Sequence, residues 1–322
     1  MIRSRLFRAD RTPGPADAAA WPSLCRDDAN LLWVDLEAPT DDEVAQVVER
    51  FGVQPSAAAL ARREQRRPLV RKFGDHYVVT VLAIEVDETP AVPRIAVIEL
   101  DAFVGRNFLV SLHHRPLPFA KTLDERTAAN PQLGRYDSAY LLYVLLDTLV
   151  AHYSEELDEI EEEVERLEEQ LLRAPGRRPL DQAMIMKRHL QAVRRLVAPH
   201  REAFGSLITT DSPVPEHQIE AYFRDLVVHV NGLLDRLDHA RDIVTGSYNL
   251  YLSNIGFRTN QQLRVLTYLS AVLLPMTVIT GMFGTNFALA EYGSWEPFYV
   301  MLAGMALITA GMLAFFRWRR WL

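Results

Sequence analysis

A single cysteine, Cys25, in a chain of 322 residues excludes an intrachain disulfide and any Cys-rich zinc module. Charge is missing from two stretches: residues 265–283 and 297–316 contain no Asp, Glu, Lys, Arg or His. The 42 acidic and 35 basic residues crowd almost entirely into the first 264 positions. Uncharged apolar runs of this length exceed the core helix of a soluble domain and match the roughly 30 Å hydrocarbon layer of a bilayer. A purely soluble enzyme is thereby excluded. No glycine-rich phosphate loop follows a strand, and there is no nucleophile elbow. His113, His114, Asp35 and Asp75 supply titratable groups, but no spacing assembles them into a recognisable catalytic site. The formal net charge of −7 argues against nucleic-acid binding. No apolar stretch follows the first arginines, Arg3, Arg5 and Arg8, so a signal peptide is not expected.

The two uncharged runs read as a transmembrane hairpin, spans 265–284 and 297–316 joined by an external loop, 285–296. Arg258 and Arg264 precede the first span, and Arg317, Arg319 and Arg320 follow the second. The loop has no Lys or Arg and carries Glu291 and Glu296. The positive-inside rule then places both termini, with the basic tail 317–322, in the cytoplasm. Trp318 and Trp321 stand where interfacial anchors belong on one side, and Trp295 on the other. Two apolar helices cannot enclose a pathway, so the hairpin either anchors the chain or assembles in several copies around an axis. Asn260, Leu263, Thr267, Ser270, Leu274, Thr277, Gly281 and Gly284 recur at steps of three and four and share one helical face. A small, hydroxyl-bearing stripe on an uncharged span suits a water-filled pore lining; tight helix–helix packing explains it as well.

The preceding residues divide into a mixed α/β region, 1–137, and a helical stalk region, 138–264. Strand patterns occur at 31–36, 76–86, 95–104 and 107–112. Thr40 and Glu43 form a capping box before a helix that ends at Gly52. His113 and His114 read as a loop-edge pair. A long helix from 138 to about 172 has a seam at Tyr153, Leu157, Ile160, Val164, Leu167 and Leu171, the spacing of coiled-coil-like packing. Its acids, crowded between 155 and 169, form a solvated face or, repeated around an oligomer, a field that concentrates cations. A return helix is expected from Leu180 to about Ile208. A third helix starts near Glu216 with a seam at Ile219, Phe223, Leu226, Val230, Leu233, Leu237, Ala240 and Val244. No proline lies between Pro215 and Pro275, so this helix can run unbroken into the first span, about 100 Å in all. Gly232, Gly246 and Gly256 are the places where it would bend.

The segment Gly281-Met-Phe-Gly-Thr-Asn-Phe287, closing a span that contains Leu274-Pro-Met-Thr277, resembles the signature of the CorA family of divalent-cation channels. In that family a Gly-Met-Asn triplet ends the pore helix. Asn260, Arg264-Val-Leu-Thr267, Tyr222-Phe-Arg-Asp225, Trp33-Val-Asp-Leu36 with Pro39, and Arg320-Trp-Leu322 extend the likeness over nearly the whole chain in the same order. The resemblance implies an α+β cytosolic domain, a long helical stalk and two C-terminal transmembrane helices, assembled as a funnel-shaped homopentamer in a bacterial inner membrane. It implies a channel, not an enzyme, with no organic cofactor. Its partners would be further copies of itself, membrane lipid and the transported ion, Mg²⁺ first. The selectivity filter maps onto Gly284, Thr285 and Asn286. Mg²⁺ sheds water reluctantly, so a ring of neutral amide oxygens can recognise the hydrated ion without stripping it. Ser270 and Thr277 would hydrogen-bond the hydration shell further in, and Leu263 and Leu274 would be apolar constrictions. Glu291 and Glu296 would enrich cations at the outer mouth.

Thr285 replaces the family's Met, Phe283 stands where Tyr is usual, and Ala288 takes the place of a common acid. The zinc-transporting ZntB branch also varies the triplet, so Zn²⁺ movement, proton-coupled or not, is an alternative. Neither span has the Cys or His that Zn²⁺ seeks, and no intramembrane acid is present to carry a proton. A non-conducting, membrane-anchored scaffold is a further alternative. Family members close when intracellular Mg²⁺ occupies carboxylates between cytosolic domains. Candidates on the stalk are Asp225, Asp235, Asp238 and Asp242, for which intrahelical pairing with Arg236 and Arg241 is an equal explanation.

Overall fold

The computed structural model describes residues 1–9, 11–61, 67–87, 94–130, 133–135, 137–173, 177–208, 217–284 and 296–319. In chain order the first elements are β1 (Ile2–Arg8), β2 (Arg11–Gly14), α1 (Trp21–Leu24), β3 (Leu31–Glu37), α2 (Asp41–Phe51) and α3 (Pro55–Ala61). There follow β4 (Leu69–Phe73), β5 (His76–Asp87), β6 (Arg94–Val104), β7 (Phe108–His113) and α4 (Ala120–Ala129). Four long helices complete the chain: α5 (Ser138–Arg173), α6 (Arg177–Ser206), α7 (His217–Gly284) and α8 (Glu296–Trp318). The chain divides into two compact units, residues 1–248 and 249–322, and α7 has residues in both.

Local chemistry explains why these elements begin and end where they do. Thr40 accepts from the Glu43 N–H at 3.3 Å while the Glu43 carboxylate takes the Thr40 N–H at 2.8 Å, closing the capping box of α2. Gly52 ends that helix at φ 64°, a left-handed turn that L side chains avoid. Between β6 and β7 the chain reverses at Gly105, where a Cβ would lie 2.1 Å from the Phe108 ring. The return helix α6 starts at Arg177, three residues earlier than its apolar pattern suggests. Pro179 falls in its first turn, where a missing N–H costs little. The three stalk glycines leave α7 unbroken.

The seven strands form one sheet in the order β2-β1-β3-β7-β6-β5-β4. All neighbours are antiparallel except β3 and β7, which run parallel with Asp35 beside Ser111 and Glu37 beside His113. One face buries Leu32, Val34, Leu36, Val78, Phe103 and Val110 against Trp21, Val47, Val53 and Ala57 of α1 to α3. Such fully buried aliphatic side chains contribute about 1.5–3 kcal/mol each. The other face meets α4, α5 and α6. The seam of α5 from Tyr153 to Leu171 and that of α7 from Ile219 to Val244 are buried throughout. The period-3.5 reading of both helices is therefore their packing surface.

Strand β5 outruns its neighbour. β4 reaches it only as far as Leu69 opposite Thr80. Beyond that point helix side chains take over the strand's hydrogen bonds. The Leu82 N–H donates to His200 Nε2 at 3.1 Å, the Tyr153 hydroxyl donates to the Leu82 carbonyl, and His152 Nε2 lies 2.7 Å from the Ile84 carbonyl. Because Nε2 of His200 accepts, its proton sits on Nδ1, 3.1 Å from the Leu196 carbonyl. Burial pushes the His200 pKa down to about 4.

Candidate functional site

The second unit contains the uncharged part of α7 and all of α8, and both carry apolar windows long enough to cross a membrane. Within it, α7 half-buries Tyr268, Ala271, Val272, Pro275, Met276 and Ile279. The complementary face of α8 is Met301, Gly304, Met305, Ile308, Met312 and Phe316. Both sets recur at three- and four-residue steps, so each is one helical face. The Tyr268 and Phe316 rings, 4.9 Å apart, mark where the two faces meet.

The small and hydroxyl stripe lies on the other side of α7. Asn260, Leu263, Thr267, Ser270, Leu274, Thr277, Gly281 and Gly284 are all exposed in the single chain, Leu263 by 53% and Leu274 by 65%. None of them is used to hold α8. Thr267 donates its hydroxyl proton to the Leu263 carbonyl at 2.8 Å, and Thr277 donates to the Leu273 carbonyl at 2.8 Å. Each hydroxyl oxygen is then left with only lone pairs to offer outward. Thr280, which the stripe did not include, makes the same bond to Met276 at 3.0 Å. Pro275 lacks the N–H that would bond the Ala271 carbonyl, which adds a further acceptor within the span. Thr285, Asn286 and Glu291 lie outside the described residues. Glu296 is the first residue of α8, and its side chain is likewise outside them.

The four stalk acids divide into two pairs. Asp225 and Asp235 are exposed on α7. Asp238 accepts from Arg194 Nε of α6 at 3.0 Å and faces Arg241 at 3.2 Å, and Asp242 faces Arg241 at 3.1 Å. Among the described residues of the single chain no three His, Cys, Asp or Glu side chains gather closely enough to hold a metal ion. The strongest polar junction on the stalk is instead Arg236. Its guanidinium donates to both Glu161 carboxylate oxygens, at 3.0 and 2.7 Å, to Asp158, and to Ser154 Oγ at 3.2 Å. This fork fastens α7 to α5.

The structure brings together polar groups that sequence spacing left apart. Asp35 of β3 and Ser111 and His113 of β7 meet across the parallel register. Ser111 Oγ donates to Asp35 Oδ1 at 2.5 Å, and His113 Nε2 lies 3.2 Å from the same oxygen. Trp33 Nε1 donates to Ser111 Oγ at 2.9 Å. The serine thus gives its proton to the carboxylate and not to the imidazole, so no base activates it as a nucleophile. Burial works to lower the His113 pKa, but the Asp35 carboxylate, the Arg115 carbonyl and the Glu37 charge together hold it above its ordinary value. His113 is buried at the end of β7 and only His114 is exposed, which corrects the loop-edge reading of the pair. Asp101 of β6 is also buried, with the Thr80 hydroxyl donating to it at 2.5 Å. Burial pushes its carboxyl up to about 7.

Comparisons with known proteins agree with this architecture. The cobalt/magnesium transport protein CorA of Thermotoga maritima is 29% identical over 300 residues, covering 92% of this chain and 85% of that protein. The zinc transport protein ZntB of Pectobacterium atrosepticum is 20% identical over 90% of this chain and 88% of its own. The complete CorA structure from Methanocaldococcus jannaschii superposes with a TM-score of 0.79 at 20% identity, covering 98% of this chain and 97% of that one. The soluble α/β region, long helix and two C-terminal apolar helices are those of the CorA fold, and the chain is a membrane protein. The model of the family described as CorA-like Mg²⁺ transporter protein matches residues 28–320, and the chain belongs to that family.

Proposed function

We propose that the chain is a divalent-cation channel that assembles as a homopentamer in the bacterial inner membrane, with both termini cytoplasmic, and passes hydrated Mg²⁺. The observation that carries this reading is the exposed stripe on α7. It is uncharged, turned away from α8, and offers hydroxyl oxygens whose protons are already engaged. The waters around a cation point their hydrogens outward, so a lining that only accepts suits a hydrated cation and repels a hydrated anion. A carboxylate at the same place would hold a divalent ion too tightly to release it. Gly284, Thr285 and Asn286 form the filter, and Glu291 and Glu296 concentrate cations outside it. Leu263 and Leu274 are the apolar constrictions. Asp225 and Asp235 are the stalk acids left to bind a regulatory cation between subunits, while Asp238 and Asp242 already face arginines.

A zinc reading has one specific support, the 20% identity to a zinc transport protein over nine-tenths of this chain. The pore stripe, without Cys or His, favours magnesium. The test is divalent flux into proteoliposomes containing a metal-sensitive dye, for wild type and Asn286→Ala. Mg²⁺ entry that collapses in the variant supports the hydrated-ion filter. Zinc entry without magnesium moves the chain to the zinc reading. No entry of either ion through inserted, pentameric protein leaves a membrane-anchored scaffold.

A further inference from the structure

The second unit has a charge imbalance that nothing within it neutralises. From Asn249 to Gly284, and again from Pro297 onward, there is no Asp or Glu. Arg258, Arg264, Arg317 and Arg319 all lie in those stretches, exposed, and none makes an ion pair among the described residues. The arginines of the first unit behave differently: Arg3, Arg5, Arg106, Arg126, Arg194 and Arg236 each face a carboxylate.

Two of the unpaired arginines flank one seam. Arg264 stands one turn before Tyr268 on the same face of α7, and Arg319 stands three residues beyond Phe316 on the same face of α8. The Tyr268–Phe316 ring contact brings those faces together, so both guanidiniums project at the end of the hairpin. There α8 stops while α7 continues, which leaves an open groove of about 510 Å³ along α7. Phe257, Gln261, Arg264 and Tyr268, at steps of four, three and four, form its floor, and Asn260 of the pore stripe forms one rim. Arg319 also lies over the exposed Trp318 ring at 5.8 Å, the mixed aromatic and cationic character of a headgroup-level anchor.

We propose that this groove binds the phosphate of an anionic phospholipid headgroup, held between Arg264 of α7 and Arg319 of α8. The acyl chains would run along the exposed Leu266, Leu269, Leu313 and Phe315. A guanidinium fork matches phosphate oxygens, and a basic recess between helices at the cytoplasmic level is where such lipids gain most over zwitterionic ones. The inference takes from the proposed function only the inserted hairpin and its orientation, not conduction. Because Asn260 shares the groove, bound lipid would touch the cytoplasmic end of the pore stripe.

The test uses the full-length chain in detergent, titrated with phosphatidylglycerol or phosphatidylcholine, reading lipid retained by native mass spectrometry and thermal unfolding in parallel. Phosphatidylglycerol is expected to be retained and to raise the melting temperature, with phosphatidylcholine doing neither. Arg264→Gln with Arg319→Gln should lower apparent affinity roughly 30-fold, each lost charge being worth about fivefold at a membrane surface. Arg264→Lys, which keeps the charge, should retain most of the effect, and so should Arg173→Gln, remote from the hairpin. Equal retention of both lipids, or undiminished retention by the double variant, overturns the clamp. An equal shift with glycerol phosphate alone overturns the lipid as its source. Loss of the oligomer in Arg264→Lys, without lipid loss, would show the groove to be a subunit contact. Magnesium flux without selective lipid retention would refute the clamp and leave the channel standing. Lipid retention without flux would do the reverse.

Discussion

Replacing Asp101 with asparagine is expected to stabilise the protein at neutral and alkaline pH. Asp101 sits 2% exposed on β6, opposite Thr80 of β5. Burial is the largest influence on its carboxyl and the Glu99 charge adds to it, while the Thr80 hydrogen bond opposes them; the result is a rise from 3.8 to about 7. A carboxyl with a raised folded pKa binds its proton more tightly folded than unfolded. Stability is therefore lost as pH climbs from about 4 through about 7, and the loss is complete above that. At about 1.36 kcal/mol for each pH unit of that interval, the loss reaches about 4 kcal/mol at pH 8, an upper figure because water entry relieves a buried charge. Asparagine keeps an oxygen for the Thr80 hydroxyl and removes the charge. For a folded unit of this size, about 4 kcal/mol corresponds to roughly 8–16 °C in melting temperature. The assay is thermal unfolding of the full chain in detergent between pH 4.5 and 8.5, for wild type and Asp101→Asn. The variant should match wild type at the acid end and melt progressively higher as pH rises. Parallel pH profiles for the two proteins would refute the reasoning, because the carboxyl would then ionise without cost.

A second pH effect follows from His113, whose raised pKa makes its contribution present below pH 6.5 and lost as pH rises through the folded value; His113→Asn should flatten the part of the melting profile above 6.5 that Asp101→Asn leaves sloping. Arg236→Met should cost about 1–2 kcal/mol by leaving Glu161 and Asp158 without their fork, and the difference should shrink in 1 M salt because the site is partly exposed. Thr277→Val, equal in volume, removes a lone-pair acceptor from the stripe and should slow Mg²⁺ flux roughly fivefold, about 1 kcal/mol, whereas Thr277→Ser should conduct nearly normally. If valine conducts like threonine, that face of α7 does not meet the ion.

The long helices were legible because each repeats one pattern over many turns. Tyr153 to Leu171 and Ile219 to Val244 could hardly be read otherwise, and all of them are buried. The membrane pair was legible from missing charge alone. Strand β1 was not, since Arg3 and Arg5 look like solvent-facing residues. In the fold they lie on the helix-covered face, where Arg5 pairs with Asp124 at 3.0 Å and sits 5.7 Å from the Trp33 ring. The Asp35–Ser111–His113 cluster was invisible for a different reason. Its members come from strands 76 residues apart, joined by a parallel register that no local spacing encodes. Of the candidate site, the stripe from Asn260 to Gly284 was readable as a periodicity, but which side faced α8 required the structure. Thr285, Asn286 and Glu291 rest on family resemblance.

The way the end of β5 is closed bears on biosynthesis. Everything up to residue 248 leaves the ribosome before either apolar span, so this unit must fold and wait in water until the hairpin reaches a membrane. An unpaired strand end is the usual template for joining a neighbouring nascent chain. Here the Leu82 and Ile84 backbone groups are claimed by Tyr153, His152 and His200, and these can arrive only after α5 and α6 have been made. The vulnerable interval runs from completion of the sheet to the docking of those two helices. It ends before the first membrane segment is synthesised.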